Sequence, residues 1–219
     1  MRSAASARDF PREPVPQLAM VGRSNVGKSS VINALTRSRV ARTSAAPGKT
    51  RLINLNLVEV GRTGLRAFYL ADLPGYGYTR GRAKAAQAFD ALVTEYFAHP
   101  PARRAQAVPG PRTSEREGGS AARPASFGPA AAMMLVDARH PGLAADVEAL
   151  AWIRTQRRPV IVAASKIDKL SRAERQRAVK EWTQALNVPI LPVSAATGEG
   201  LDELWTEINR ILTEPSKSS

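Results

Sequence analysis

The chain has no cysteine, which excludes disulfides and thiolate metal centres. No apolar run approaches the roughly 18 residues that a membrane-spanning helix needs, so no membrane partner is expected. Met1 to Pro16 lack the apolar core of a secretory signal. Arg2, Arg8 and Arg12 stand there beside Asp9 and Glu13, which gives a transit peptide little support. Acid is scarce: 19 Asp and Glu face 32 Lys and Arg, for a formal net charge of +13. An excess of that size favours polyanionic partners. There is no internal repeat, and 219 residues leave no room for a second domain of usual size. These absences point to a soluble, cytoplasmic protein, and a monomer is expected. The expected organisation is a flexible lead-in over 1–16, one domain over 17–213 and a flexible tail over 214–219.

What is present is a phosphate-binding loop. Gly22-Arg23-Ser24-Asn25-Val26-Gly27-Lys28-Ser29 fits G-x-x-x-x-G-K-[ST]. The apolar run Leu18-Ala19-Met20-Val21 precedes it, and Ser30 to Leu35 reads as the start of a helix. Glycines let successive N–H groups turn inward onto phosphate oxygens. The helix N-terminus adds partial positive charge. Lys28 is placed to reach the β- and γ-phosphates, and the Ser29 hydroxyl to ligate Mg²⁺.

Further motifs follow in order, each after an apolar run. Asp72-Leu73-Pro74-Gly75 follows Leu65 to Ala71; its aspartate suits a Mg²⁺-bound water and its Gly75 N–H a γ-phosphate. Ser165-Lys166-Ile167-Asp168 follows Val160 to Ala164. A carboxylate at Asp168 accepts from guanine N1–H and the 2-amino group, whereas adenine offers it a lone pair at N1. An unpaired charge is costly, so the site should reject ATP. Ser194-Ala195-Ala196 follows a third run, Pro189 to Val193, and suits a loop closing over the base, with Val193, Ser194 and Ala195 expected at the nucleotide. Each short motif alone is common; their shared order is not.

The loop GRSNVGKSS, the segment Ala41-Arg42-Thr43-Ser44-Ala45-Ala46-Pro47-Gly48-Lys49-Thr50, the run Asp72-Leu73-Pro74-Gly75-Tyr76-Gly77-Tyr78, and Asp137-Ala138-Arg139-His140-Pro141 together resemble the EngB (YihA/YsxC) GTPases. The resemblance runs from about Gln17 to Leu212. It implies a bacterial GTP-binding and GTP-hydrolysing switch, binding GTP and GDP. It also implies a role in large ribosomal subunit assembly, with a precursor particle or ribosomal RNA as partner, and an association with cell division and septation. A nucleotide-gated protein scaffold in division, without ribosome binding, is the alternative.

The implied fold is α/β and Ras-like: a six-stranded, mostly parallel sheet with one antiparallel strand and about five helices. Strands are expected near Leu18–Val21, Leu52–Val60, Leu65–Ala71, Ala132–Val136, Val160–Ala164 and Ile190–Val193. Helices are expected near Ser29–Arg37, Lys84–Phe97, Ala144–Thr155, Arg172–Ala185 and Leu201–Leu212. Gly61-Arg62-Thr63-Gly64 reads as the turn of an antiparallel hairpin. Trp152, Trp182, Trp205, Met133 and Met134 read as packing residues.

Catalysis is assigned to Lys28, Thr50 and Gly75. Thr50 is taken as the threonine that joins Ser29 on Mg²⁺ in the GTP state, with Thr43 and Ser44 competing. Its neighbours Gly48, Lys49, Arg51 and Leu52 are expected at the nucleotide too. Tyr76 stands where Ras-like enzymes place a water-orienting glutamine, so slow intrinsic hydrolysis is expected, completed by a partner or a cation. Asn25 has two readings: a K⁺ ligand, as in K⁺-using GTPases, or a residue chosen for its backbone tolerance. A general-base role for His140 is not expected, because phosphoryl transfer relies on positioning and electrostatics.

Two features depart from the family pattern. Ser165 replaces the usual threonine; its hydroxyl keeps the means to tie this loop to the phosphate loop, with weaker anchoring expected. Residues 99–129 form an insertion with six prolines, four glycines, and five arginines against two glutamates. It has few large apolar residues and is expected to be disordered. Basic charge also collects on the nucleotide-sensing stretches. Arg37 to Arg51 holds five cations and no acid, and Arg80, Arg82 and Lys84 are the only charges between Asp72 and Asp90. A nucleotide-dependent RNA contact is expected there. The cations from Lys166 to Lys180 read instead as a solvated helix face.

Overall fold

The computed structural model describes residues 2–11, 13–41, 52–60, 65–76, 83–101 and 127–213. Along the chain these form β1 (Arg2–Ala4), β2 (Gln17–Gly22), α1 (Lys28–Thr36), β3 (Ile53–Glu59), β4 (Ala67–Asp72) and α2 (Ala83–Ala98). There follow β5 (Ala131–Asp137), α3 (Ala144–Thr155), β6 (Val160–Ser165), α4 (Arg172–Leu186), β7 (Ile190–Pro192) and α5 (Leu201–Thr213). The strands make one sheet in the order β1-β3-β4-β2-β5-β6-β7. β3 alone runs against its neighbours β1 and β4, and every other pair is parallel.

The five helices and the single reversed strand match expectation. The sheet has seven strands among the described residues, not six, because β1 forms within the stretch read as a lead-in. Arg-Ser-Ala carries no apolar alternation to announce a strand. Long-range ties hold it instead: Ser3 Oγ donates to Asn54 Oδ1 at 2.8 Å, and Ala4 is buried. The Asp9 carboxylate accepts from the Ala5 and Ser6 N–H groups, each at 2.9 Å. Phe10 then stacks on Tyr96 at 4.9 Å and on Phe127 at 4.8 Å.

Phe127 also corrects the bounds of the insertion. Its two ends are placed against each other, with Gly128 N–H donating to Pro100 O at 2.9 Å and a bridge between Pro101 and Gly128. Among the described residues of the low-complexity stretch, the buried Phe127 ring joins the core. Residues 102–126 lie outside the described residues, as do the hairpin turn at 61–64 and the tail at 214–219. The hairpin itself closes as expected, with Glu59 opposite Ala67 and Val60 N–H donating to Arg66 O at 2.8 Å.

β2 and β5 are buried along their whole length, as befits central parallel strands covered on both faces. Leu92, Tyr96, Leu150, Ile153, Trp182 and Leu186 bring α2, α3 and α4 onto one face. Val31, Ile32, Leu35, Leu204, Ile208 and Leu212 bring α1 and α5 onto the other. Met133 and Met134 are strand core, and Trp182 is wholly buried with its indole N–H on Asp137 O at 3.2 Å. Trp205 donates to Leu35 O at 3.2 Å, and Trp152 packs edge-on against Phe97. α4 starts at a Ser171–Glu174 capping box and turns its Arg172, Arg177 and Lys180 to solvent. This architecture gathers the C-terminal ends of β2, β4, β5, β6 and β7 along one edge, the edge where open α/β sheets hold ligands.

Candidate functional site

Each expected motif in the described residues emerges from one of these strand ends. β2 runs into the phosphate loop, which α1 leaves at Lys28. The loop bends through Asn25 at φ 63° and Gly27 at φ 105°. Gly27 is the N-cap of α1 in the left-handed region, where a side chain would be strained. The same argument bears on Asn25, since asparagine tolerates that region. Backbone conformation alone accounts for this residue, and nothing among the described residues argues for K⁺ there.

Lys28 lies inside the loop and donates to Gly22 O at 2.8 Å and Arg23 O at 3.3 Å. Burial lowers its pKa, opposed by the Asp72 carboxylate. Asp72 ends β4, is 7% exposed, and has one carboxylate oxygen, Oδ1, without a hydrogen-bond partner. Burial pushes its pKa up to about 6, against the pull of Lys28 and a hydrogen bond with Ser29. A buried carboxylate beside a serine hydroxyl, with an acceptor unused, is an all-oxygen donor set of the kind Mg²⁺ takes. No cluster of three or more His, Asp or Glu suited to a metal occurs among the described residues.

The segment after Asp72 crosses onto the phosphate loop. Leu73 N–H donates to Met20 O at 3.2 Å and Ser24 N–H to Tyr76 O at 3.3 Å. Pro74 is buried between these contacts. Gly75 lies so close that a Cβ there would sit 2.5 Å from Ser24 N. Only glycine permits this approach, which also leaves its N–H unobstructed by a side chain.

The base-reading end is built by hydrogen bonds within the protein. Ser165 Oγ donates to Val26 O at 2.6 Å and is also within 3.1 Å of Val136 O, so the serine makes the tie to the phosphate loop expected of it. Lys166, at φ 64°, extends its ammonium to Asn25 O at 2.6 Å and Asp137 Oδ2 at 3.0 Å. Ile167 is buried, with its N–H 3.5 Å from Val193 O. Ser194 Oγ donates to Asp168 Oδ1 at 2.8 Å and accepts from Ala196 and Thr197 N–H, each at 3.2 Å. That hydroxyl, then Lys169, holds Asp168 below the usual carboxylate range. Ala195 is half-buried beside it. An ionised carboxylate held in this way can accept paired N–H donors from a purine edge.

Leu52 is exposed one residue ahead of β3. Thr43, Ser44, Gly48, Lys49, Thr50 and Arg51 lie outside the described residues, so the choice of switch threonine stays an expectation. His140 sits in the turn after β5, exposed, with its N–H on Asp137 O at 3.1 Å.

Two charge clusters were not anticipated. Asp137, at the end of β5, is grasped by Arg139 through Nε to Oδ1 at 2.9 Å and Nη2 to Oδ2 at 2.8 Å, and Lys166 shares Oδ2. Burial would raise its pKa, but these donors hold it well below the ordinary value. Asp146, wholly buried in the first turn of α3, binds Arg23 of the phosphate loop and the Tyr76 hydroxyl. Asp137 was visible as a motif without a role. Asp146 gave no signal, since acid in a first helical turn is the ordinary complement to the helix dipole.

Residues 17–166 match the family model described as 50S ribosome-binding GTPase. The chain is 38% identical over 213 residues to a "Probable GTP-binding protein EngB" of Pelotomaculum thermopropionicum, covering 95% of this chain and 91% of that one. It is 34% identical to the protein of the same description from Acidobacterium capsulatum, covering 100% and 92%. Among solved structures, its fold resembles a probable GTP-binding protein EngB (TM-score 0.58, 22% identity, 91% of this chain and 99% of that chain). It also resembles Era solved with MgGDPNP and nucleotides 1506–1542 of 16S ribosomal RNA (TM-score 0.69, 22% identity, 94% of this chain and 59% of Era).

Proposed function

As the chain belongs to the EngB family of GTP-binding proteins and is a GTPase, we propose that it is a nucleotide-operated switch assisting assembly of the large ribosomal subunit. The match over 17–166 to a family described as 50S ribosome-binding carries this reading. Charge supports it: the net +13 is concentrated on the stretches expected to sense the nucleotide, and cations that neutralise RNA phosphates gain by counterion release.

In this reading the N–H groups of Gly22 to Ser29 cradle the phosphates and Lys28 supplies charge at the β–γ bridge. Gly48 to Leu52, with Thr50 foremost, and Asp72 to Gly75 meet the γ-phosphate side. Ser165 to Asp168 read and frame guanine, and Val193 to Ala195 close over it. Asp72, Ser29 and Thr50 would hold Mg²⁺, whose bound charge would offset that developing on the phosphates. Loss of the γ-phosphate then frees the sensing stretches and changes affinity for the partner.

Co-sedimentation with large ribosomal subunits and their precursors tests the reading, comparing a non-hydrolysable GTP analogue, GDP and no nucleotide. Retention with the analogue, lost on RNase treatment or in high salt, is the expected result. No retention in any state, with nucleotide binding intact, would reject it in favour of a protein partner such as a division scaffold.

A further inference from the structure

Tyr76 stands where a water-orienting side chain is expected, and its phenol is turned elsewhere. Its hydroxyl donates to Asp146 Oδ1 at 2.6 Å. The same carboxylate takes Arg23 Nε at 3.1 Å on both oxygens. Arg23 and Tyr76 are also neighbours along their main chains, forming a parallel bridge across the two loops. The Asp146 side chain is 0% exposed and that of Arg23 25%. Burial keeps Tyr76 a neutral donor, its pKa raised first by desolvation and then by the Asp146 charge. Beside the Tyr76 ring lies an apolar cavity of about 380 Å³, lined in part by Leu73, Val93, Thr94 and Trp152. The ring packs partly against the core, and its hydroxyl is held by Asp146.

We propose that Asp146 is a positioning residue whose single carboxylate ties Arg23 of the phosphate loop to Tyr76 of the segment after Gly75, so that the two loops shift together. The reason is the cost of a dry carboxylate. Even with both donors in place burial keeps its pKa above the ordinary value, so removing either donor leaves a carboxylate with no exposed side-chain surface still shorter of partners. Movement of the Tyr76 segment therefore perturbs the grip on Arg23, and a change at the phosphate loop perturbs Tyr76 in return. Asp146 acts through these two residues. The inference rests on guanine nucleotide binding, which family membership carries, and not on the ribosomal reading. Failed co-sedimentation would leave it untouched.

The test is the dissociation rate of a fluorescent GDP from the full chain in a double-mutant cycle of Tyr76→Phe and Asp146→Asn. Tyr76→Phe removes a hydroxyl that faces α3; because the Tyr76 main chain also touches the phosphate loop, the cycle and not the single variant separates a path through the carboxylate from one through the backbone. Release is expected to quicken by roughly three- to tenfold, a part of what one hydrogen bond to a charged group contributes, since this bond acts on the nucleotide only through Arg23. In the Asp146→Asn background, where the charged grip on Arg23 is gone, Tyr76→Phe should change nothing further. Equal acceleration in both backgrounds, or none in either, would overturn the proposal. General loosening would show as equal acceleration with additive losses of melting temperature. Should Asp146→Asn fail to fold, Arg23→Lys replaces it in the cycle with the same expectation, since it keeps the charge but moves the donor.

Discussion

The two ends of the nucleotide cleft differ in how far the protein completes them by itself. At the base end, Asp168 already has Ser194 and Lys169, and Ser165 and Lys166 already hold the phosphate loop. At the phosphate end, Lys28 rests on main-chain carbonyls and Asp72 buries an oxygen with no partner. Burial raises the pKa of both Asp137 and Asp72, but their net shifts are opposite. Supplied with donors, Asp137 is held below the usual carboxylate range, whereas Asp72, with fewer, is raised to about 6. The difference teaches a division of labour. On the proposed reading, base recognition is built in advance, while the phosphate end carries groups whose best partners arrive with the ligand.

The largest expected effect strikes the finished end. Asp168→Ala should cut the preference for GTP over ATP by on the order of 10³-fold, because a site that pairs polar groups discriminates through what it leaves unpaired. Competition binding with both nucleotides measures it, and an unchanged ratio would remove Asp168 from base reading. Lys28→Ala should weaken GTP and GDP alike by on the order of 10²-fold, since it deletes a charge aimed at phosphate common to both. Calorimetric titration showing parent-like affinity would contradict the assignment. Ser194→Ala sharpens the contrast. It leaves Asp168 in place but unsupported on one side, and about tenfold weaker guanine nucleotide binding is expected from one lost charge-assisted bond. Were affinity unchanged, the prebuilt character of the base end would be in doubt.

The smallest effect concerns pH. The folded pKa of Asp72 lies above its ordinary value, so the ligand-free fold favours the protonated acid. Through this group, that fold loses stability as pH rises from about 4 through about 6. Binding of Mg²⁺, which needs the carboxylate, gains over the upper part of the same window. For a pKa near 6 the ionised fraction falls about fourfold from pH 7.5 to 5.5, so about fourfold more Mg²⁺ should be needed at pH 5.5 to slow GDP release to the same extent. A flat Mg²⁺ requirement across that range would show that Asp72 does not serve the metal.

Much of the fold and of the cleft is legible in the order of the residues alone. Every expected helix forms, and the strands fall within a few residues of expectation. Four nucleotide motifs are expected at strand ends. All four lie there and are joined by hydrogen bonds, as Ser165 to Val26 and Asp168 to Ser194 illustrate. Such features are legible because they are local. A glycine at positive φ, an apolar run or a capping serine acts within a few residues of itself. β1 escapes such reading because three small or polar residues carry no period, and Phe127 because one aromatic in a stretch of Pro, Gly and Arg does not change its composition.

The sequence by itself determined the alternation of strand and helix and the shape of the phosphate loop, and it placed Asp168 at the strand end where a base-reading carboxylate is expected. Tertiary structure decided which charges are finished and which are left waiting. Arg23 and Tyr76 reach Asp146 across 123 and 70 residues, and Ser165 reaches Val26 across 139. No local pattern encodes such pairings. They exist because parallel strands deliver distant loops to one edge of the sheet, and there burial makes an unpartnered charge too costly to leave except where a ligand can complete it.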